Sequence, residues 1–341
     1  MSNPYKAKPE TSFWKPSVGN CAHDTLTLAP QNTFDLSADD RVATAGSCFA
    51  QNVAKHIKRA RLMHFLQVEE QREDQPLFSA NYGNIYTPLQ LKQLIERATG
   101  KSDVPEDHTD TYAVANGRYL DLYRPYMEPA GYTSLEELVS ARKTHLEAVM
   151  RMFRDATVFV FTLGLTECWR AAATGIAFPV APATVVEDGS LPATTFDNQD
   201  FSATYEAMAD AIALMRGINP ALKIMLTVSP VPLTATYTDD HVLTATTYSK
   251  SVLRAVAGEL ASKLEGVSYF PSYEIITAPY WSESYYDANR RTVSEVGIAH
   301  VMRTFEAGYF KAAPKDPGNL FAADDRDVIC DDEQSMESIG F

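Results

Sequence analysis

The sequence predicts an α/β domain: a three-layer sandwich with a mostly parallel sheet of about five strands and helices on both faces. Three observations predict it. Strand-like apolar runs alternate with helical patterns along most of the chain. The strongest run, Thr157–Leu163, is apolar on both faces, as a central strand of a helix-covered parallel sheet is, and Lys223–Val228 reads as a further buried strand. A chain of 341 residues, 45% of them hydrophobic, has room for one large core.

The elements follow in order. Residues 1–35, rich in Pro, Asn and Thr, read as an irregular lead-in, with Phe13, Trp14 and Val18 available to pin it to the surface. The domain spans 36–311. Val42–Ala45 is a short strand and Gly46 breaks it. Phe49, Val53, Ala54 and Ile57 then mark the apolar face of a helix whose other face carries Gln51, Lys55, Lys58 and Arg59. Leu62–Leu66 is a second strand. Thr87-Pro88 is a helix start, a capping hydroxyl followed by proline at the first helical position. Residues 100–132, polar and aromatic without a period, form an insertion over one face. Leu135–Phe153 reads as a helix and Thr157–Leu163 as the central strand.

Residues 171–200, rich in Pro, Ala and Thr, read as a long loop and a candidate wall of a substrate cleft, since loops of this length inside a domain tend to be functional. Phe201–Arg216 is helical, Lys223–Val228 is a buried strand, and Ser229-Pro230-Val231-Pro232 is a rigid exit from it. A helix over about Thr247–Leu264 and a last strand over Val267–Phe270 follow. Ser294 or Thr292 caps a final helix that ends near Phe310. Residues 312–341 hold eight acidic residues against two basic ones and few large apolar side chains, so they read as a disordered tail.

The net charge of −14 argues against nucleic acid and anionic membrane as partners. The four cysteines show neither CxxC nor metal-ligand spacing, which predicts free thiols, no metal and a reducing compartment. The first residues lack the apolar core of a signal peptide, and no run approaches the roughly 18 apolar residues of a membrane helix. The expectation is a cytoplasmic protein without a cofactor.

Ser47 is the first candidate for chemistry. It stands between a strand and a helix, at the carboxyl end of the strand, where open α/β sheets place their ligands. The N–H groups of a helix N-terminus favour negative charge as it develops there. A nucleophile needs exposure and donors for the oxyanion it creates. The structural alternative is that Ser47 only caps the helix. Cys48 is a rival nucleophile, but its place in the helix favours packing.

Gly46-Ser47-Cys48-Phe49-Ala50 matches the signature of the GSCFA family, which resembles the SGNH/GDSL hydrolases in fold, a flavodoxin-like sandwich. Gly117–Pro125, Ser229-Pro230-Val231-Pro232, Ser249-Lys250-Ser251-Val252-Leu253-Arg254 and Phe270-Pro271-Ser272-Tyr273-Glu274 resemble family segments in the same order. The resemblance implies a serine esterase or O-acyltransferase acting on a small acyl ester, plausibly acetyl, of a saccharide. Ser47 would be the nucleophile, and the Ser47 amide, Gly83, Asn84 and Thr166 would hold the oxyanion. Gly83-Asn84 also suits a plain turn, and Thr166 stands where such enzymes carry an asparagine. Glu167, beyond the central strand, is either a substrate-binding residue or a surface acid.

For the base, SGNH enzymes place Asp-x-x-His before the last helix. Here Asp287 is followed three residues on by Arg290, and the nearest histidine is His300. His300, oriented by Asp287, is one candidate base, and His241, beyond the fourth strand, is the other. The displaced histidine supports an alternative from another class: a non-catalytic glycan- or ligand-binding module that keeps the cleft.

Overall fold

In the computed structural model, the described residues are 3–22, 26–30, 34–186, 189–280, 282–310, 328–331, 333 and 334. The chain order is β1 (Arg41–Gly46), α1 (Phe49–Ala60), β2 (His64–Phe65), α2 (Pro88–Ala98), β3 (Tyr112–Ala115), β4 (Arg118–Asp121), α3 (Leu135–Asp155), β5 (Val158–Leu163), β6 (Glu167–Ala171), β7 (Ala177–Phe178), α4 (Pro182–Val185), β8 (Thr194–Asn198), α5 (Phe201–Ile218), β9 (Lys223–Val228), α6 (Val242–Lys263), β10 (Val267–Tyr269), α7 (Ser272–Thr277), α8 (Ser282–Tyr285) and α9 (Glu295–Tyr309).

Five strands form the central sheet in the order β10-β9-β5-β1-β2, and every pair in it is parallel. Pleating splits the core in two. Ala43, Ala45, Phe159, Phe161, Leu226 and Val228 face the layer built from α2, α3, α5 and α6. Val42, Val158, Val160 and Met225 face the layer of α1, α7 and α9. Alternate residues of one strand thus serve opposite helical layers, which is why these strands are apolar throughout.

The chain leaves β1 for β2 on one side and returns to β5 on the other. The topological switch point therefore lies between β1 and β5, where open parallel sheets leave a crevice outside their carboxyl ends. Ser47 follows β1 and Gly164 follows β5.

Local chemistry explains the helix starts. Thr87 and Gln90 form a reciprocal capping box on α2 with Pro88 at its first position. Ser134, Asp200 and Ser294 cap α3, α5 and α9 with side-chain oxygens.

Both insertions carry structure that their composition hid. Residues 100–132 contain the β3–β4 hairpin. Residues 171–200 are not a loop throughout: β7 and β8 pair antiparallel with β6 in a three-stranded sheet. This satellite has a core of its own, with Ala113, Leu120, Ile176, Phe178 and Val186. Where β4 ends, Asp121 joins Arg142 at 2.7 Å and Arg124 at 3.0 Å, all three buried. Burial pushes the Asp121 carboxyl up, but the two guanidinium groups, Arg142 first, hold it far below the usual carboxylate range.

The ends of the chain also differ from expectation. Phe13 and Trp14 are exposed and Val18 is only half-buried; Leu26 and Leu36 enter the core instead. Of the acidic tail, residues 312–327 lie outside the described residues, while Cys330 and Asp331 are buried against the domain. All four cysteines are free. Among the described residues, no helix is long and apolar enough to cross a membrane, and no group of three metal-ligating side chains is gathered.

Candidate functional site

Gly46 sets the turn. Its φ is +135°, and a Cβ there would lie 2.4 Å from the Thr162 carbonyl oxygen, so only glycine lets β1 run this close to β5. The backbone is then tied on both sides. Ser47 N–H donates to the Thr162 carbonyl at 3.1 Å, and Ile85 N–H donates to the Gly46 carbonyl at 2.9 Å. The Ser47 amide, expected to serve an oxyanion, is thus spent inside the fold.

The Ser47 side chain is 2% exposed, and its hydroxyl makes no hydrogen bond among the described residues. It does not cap α1. Cys48 occupies the N-cap position, and no side chain caps that helix. The structural alternative for Ser47 therefore fails. Gly164 presses on the serine from the end of β5: a Cβ there would sit 2.9 Å from Ser47 Cβ and 3.0 Å from the Tyr86 ring. The Tyr86 carbonyl accepts from Gly164 N–H at 2.9 Å and from Leu165 N–H at 3.0 Å. The Gly164 carbonyl accepts from Lys250 Nζ at 2.7 Å, and Lys250 is 1% exposed.

Asn84 is buried next to this turn. Its Oδ1 accepts from Gln51 Nε2 at 3.4 Å, and its Nδ2 donates to the Ile329 carbonyl at 3.1 Å and to Asp331 Oδ1 at 2.7 Å. Gly83 has φ +71°, which favours glycine, and the same carboxylate lies beside it: a Cβ would meet Asp331 Oδ2 at 3.9 Å, ordinary van der Waals contact.

The other expected residues hold structural posts. Thr166 donates its hydroxyl to Asn198 Oδ1 at 2.7 Å, which removes it as an oxyanion donor. Glu167 accepts from the Thr236 hydroxyl at 2.6 Å and from Tyr237 N–H at 3.2 Å, bracing a loop rather than lying free on the surface. His300 is not placed to act on Ser47. Its Nδ1 bonds the Tyr285 hydroxyl at 2.6 Å and its Nε2 the Leu26 carbonyl at 2.5 Å, within the core between α9 and the lead-in. Asp287 is exposed in a turn closed by Thr292 and Arg290, and orients neither ring nitrogen. His241 is the exposed N-cap of α6, its Nδ1 accepting from Leu243 N–H at 3.1 Å.

Two cavities flank the site. One, of about 280 Å³, begins at Leu165, the residue after Gly164. Its walls include Glu167 and an aromatic trio: Trp169 to Tyr237 at 4.6 Å between ring centroids, Phe196 to Tyr237 at 5.3 Å, Trp169 to Phe196 at 5.7 Å. Residues 171–200 do wall this cavity, through the bend at Pro179, Val180 and Ala181, through Thr184 of α4 and through Phe196 of β8. Burial pushes the Cys168 thiol, also in the lining, up to about 12, so it stays protonated.

The other cavity, about 30 Å³, has room for one water and is lined by Asn84, Tyr82, Arg97, Arg124 and His145. His145 Nδ1 meets Glu69 Oε2 at 2.7 Å, and its Nε2 has no partner. Burial, with Arg124 nearby, brings this imidazole down to about 4 despite Glu69. The Glu69 carboxyl, raised by burial, is lowered overall by its bonds to His145 and Asn81.

Sequence reasoning missed Lys250, Gly164, Gln51 and Asp331. Lys250 carried a signal: it falls inside the stripe of Leu253, Val256, Ala257 and Leu260 that α6 buries, where an unpartnered charge is costly. Gln51 stands four residues after Ser47 at the start of α1. Nothing in the acidic composition marks Asp331.

Comparison with curated proteins and with solved structures finds no match. A family model, the GSCFA family, matches residues 41–305, from the first residue of β1 into α9. The chain belongs to the GSCFA family.

Proposed function

We propose that this protein is a serine esterase or O-acyltransferase of SGNH-like type that acts on a small acyl ester. One observation carries the reading. A buried hydroxyl with no partner costs about 1–3 kcal/mol, and Ser47 offsets none of it by capping its helix. Such a group at the switch point of a parallel sheet is placed for chemistry. Ser47 Oγ attacks the ester carbonyl and forms the acyl-enzyme as the alcohol leaves. Water or an acceptor hydroxyl then takes the acyl group. Asn84 donates to the carbonyl oxygen as charge develops on it.

The base in this reading is Lys250 as its neutral amine, held at the carbonyl of the residue that packs against Ser47: it takes the Ser47 proton and passes it to the leaving alcohol. Serine–lysine pairs are one of the recurring variants of the serine triad. The aromatic cavity next to Gly164 suits the alcohol portion: a saccharide ring stacks its C–H face on aromatic side chains.

The test is prolonged incubation of the full chain with a fluorophosphonate probe, followed by mass mapping. Adduct on Ser47, lost in Lys250→Met, supports the reading. A second reading, a non-catalytic glycan- or ligand-binding module, is favoured by the histidines, since His300 and His241 are both engaged elsewhere. Saccharide binding without any adduct on Ser47 would select it.

A further inference from the structure

We propose that residues 328–331, together with 333 and 334, are a tethered occupant of the site around Ser47, and that substrate enters only when they leave. This rests on the reading of Ser47 and Asn84 given above. The segment lies far along the chain from the site, yet four hydrogen bonds hold it there. Gln51 grips the Ile329 backbone with both ends of its amide: Nε2 donates to the carbonyl at 2.7 Å, and Oε1 accepts from the N–H at 3.2 Å. Asn84 Nδ2 donates to the same carbonyl at 3.1 Å and to Asp331 Oδ1 at 2.7 Å. An ion pair between Arg291 and Glu333 anchors the far end.

Gln51 and Asn84 flank Ser47 from the two segments that build its turn. The occupant explains two facts together: a serine placed for attack is 2% exposed, and a polar tail residue, Asp331, is equally buried. The Asp331 carboxylate takes the Asn84 donor that an ester oxygen needs, so substrate and segment compete for one amide. Two-point capture of one residue's N–H and C=O is how an edge of backbone is recognised, independent of side chain. The ligand class of the Gln51–Asn84 pair is thus a peptide gripped by the backbone of one residue, with a carboxylate two residues on at the start of a helical turn, and its occupant is this chain's own tail.

The experiment uses the full-length chain carrying Ile329→Pro and Asp331→Lys, which removes the N–H that Gln51 accepts and reverses the charge that Asn84 meets. Neither residue belongs to the catalytic machinery. Fluorophosphonate labelling of Ser47 is expected to rise about tenfold or more, because reactivity scales with the fraction of open site. A synthetic peptide spanning Val328–Gln334 should slow the variant again. Hydrogen exchange at the amides of 328, 330, 331, 333 and 334 should be protected in the parent and fast in the variant. Equal labelling rates, or protection that survives in the variant, would overturn the proposal. If Ser47 labels in neither protein, the nucleophile reading falls, and anisotropy of the labelled peptide on the variant still decides the docking: saturable binding upholds it and none refutes it.

Discussion

Replacing Ser47 by alanine should raise stability while abolishing turnover. Ser47 is 2% exposed, and its hydroxyl makes no hydrogen bond among the described residues and does not cap α1. Removing it deletes a desolvated polar group, worth about 1–3 kcal/mol, and breaks no bond in return. Unfolding entropy is about 2.1 cal/mol/K per residue, so a chain of 341 residues shifts its Tm by roughly 1.5–4 °C in response. The assay pairs a calorimetric scan with hydrolysis of a short-chain aryl acetate and with probe labelling. A nucleophile held at a cost to stability gives higher Tm and no turnover, as active-site residues often do. A Tm that falls would show that the hydroxyl has a structural partner, and full retained turnover would remove Ser47 from the chemistry.

Further outcomes are expected. Gly164→Ala puts a methyl 2.9 Å from Ser47 Cβ, and displacing the serine by up to about 1 Å should slow labelling about 100-fold; an unchanged rate, with the protein folded, would show that the contact relaxes freely. His145 should make stability acid-sensitive. Its imidazole titrates near 4 in the fold and near 6.5 when unfolded, so the unfolded chain binds more protons between those values. The contribution, about 3 kcal/mol, is complete above pH 6.5 and is lost as pH falls toward 4. Urea unfolding of His145→Gln should show a shallower decline over that window, and an identical slope would contradict it. Asp121→Ala strands the buried Arg142 and Arg124 charges and should cost about 3–5 kcal/mol, read as a lower Tm; a change within about 0.5 kcal/mol would mean that water solvates both guanidinium groups.

The sheet was legible in the chain because its chemistry is local. Strands buried on both faces show unbroken apolar runs, and Thr87-Pro88 and Ser294 announce their helices through short-range hydrogen bonds. The satellite sheet was not legible, because β7 is two residues long and the β6–β8 pairing depends on partners far along the chain. At the site, Ser47 stood out because a strand, a glycine and a helix meet there. The base did not. Sequence spacing around Asp287 drew attention to His300, while burial tied that ring to Tyr285 and Leu26. Lys250 signals burial by its place in the apolar stripe of α6, but its proposed role rests on Gly164, 86 residues away. The tail misled for a related reason: net charge describes a segment's average, whereas its contacts with the domain run through Ile329, Asp331 and Glu333.

The satellite sheet gives the aromatic cavity a foundation that is largely separate from the central sheet. Its packing residues, such as Ile176 and Phe178, do not take part in the layers that hold Gly46 and Ser47. Substitutions that reshape the pocket through Trp169 or Phe196 therefore need not disturb the turn that aims the serine. On the proposed reading, such an arrangement lets one scaffold diversify what it accepts while conserving how it reacts, and it marks β6–β8 as the place to begin re-engineering selectivity.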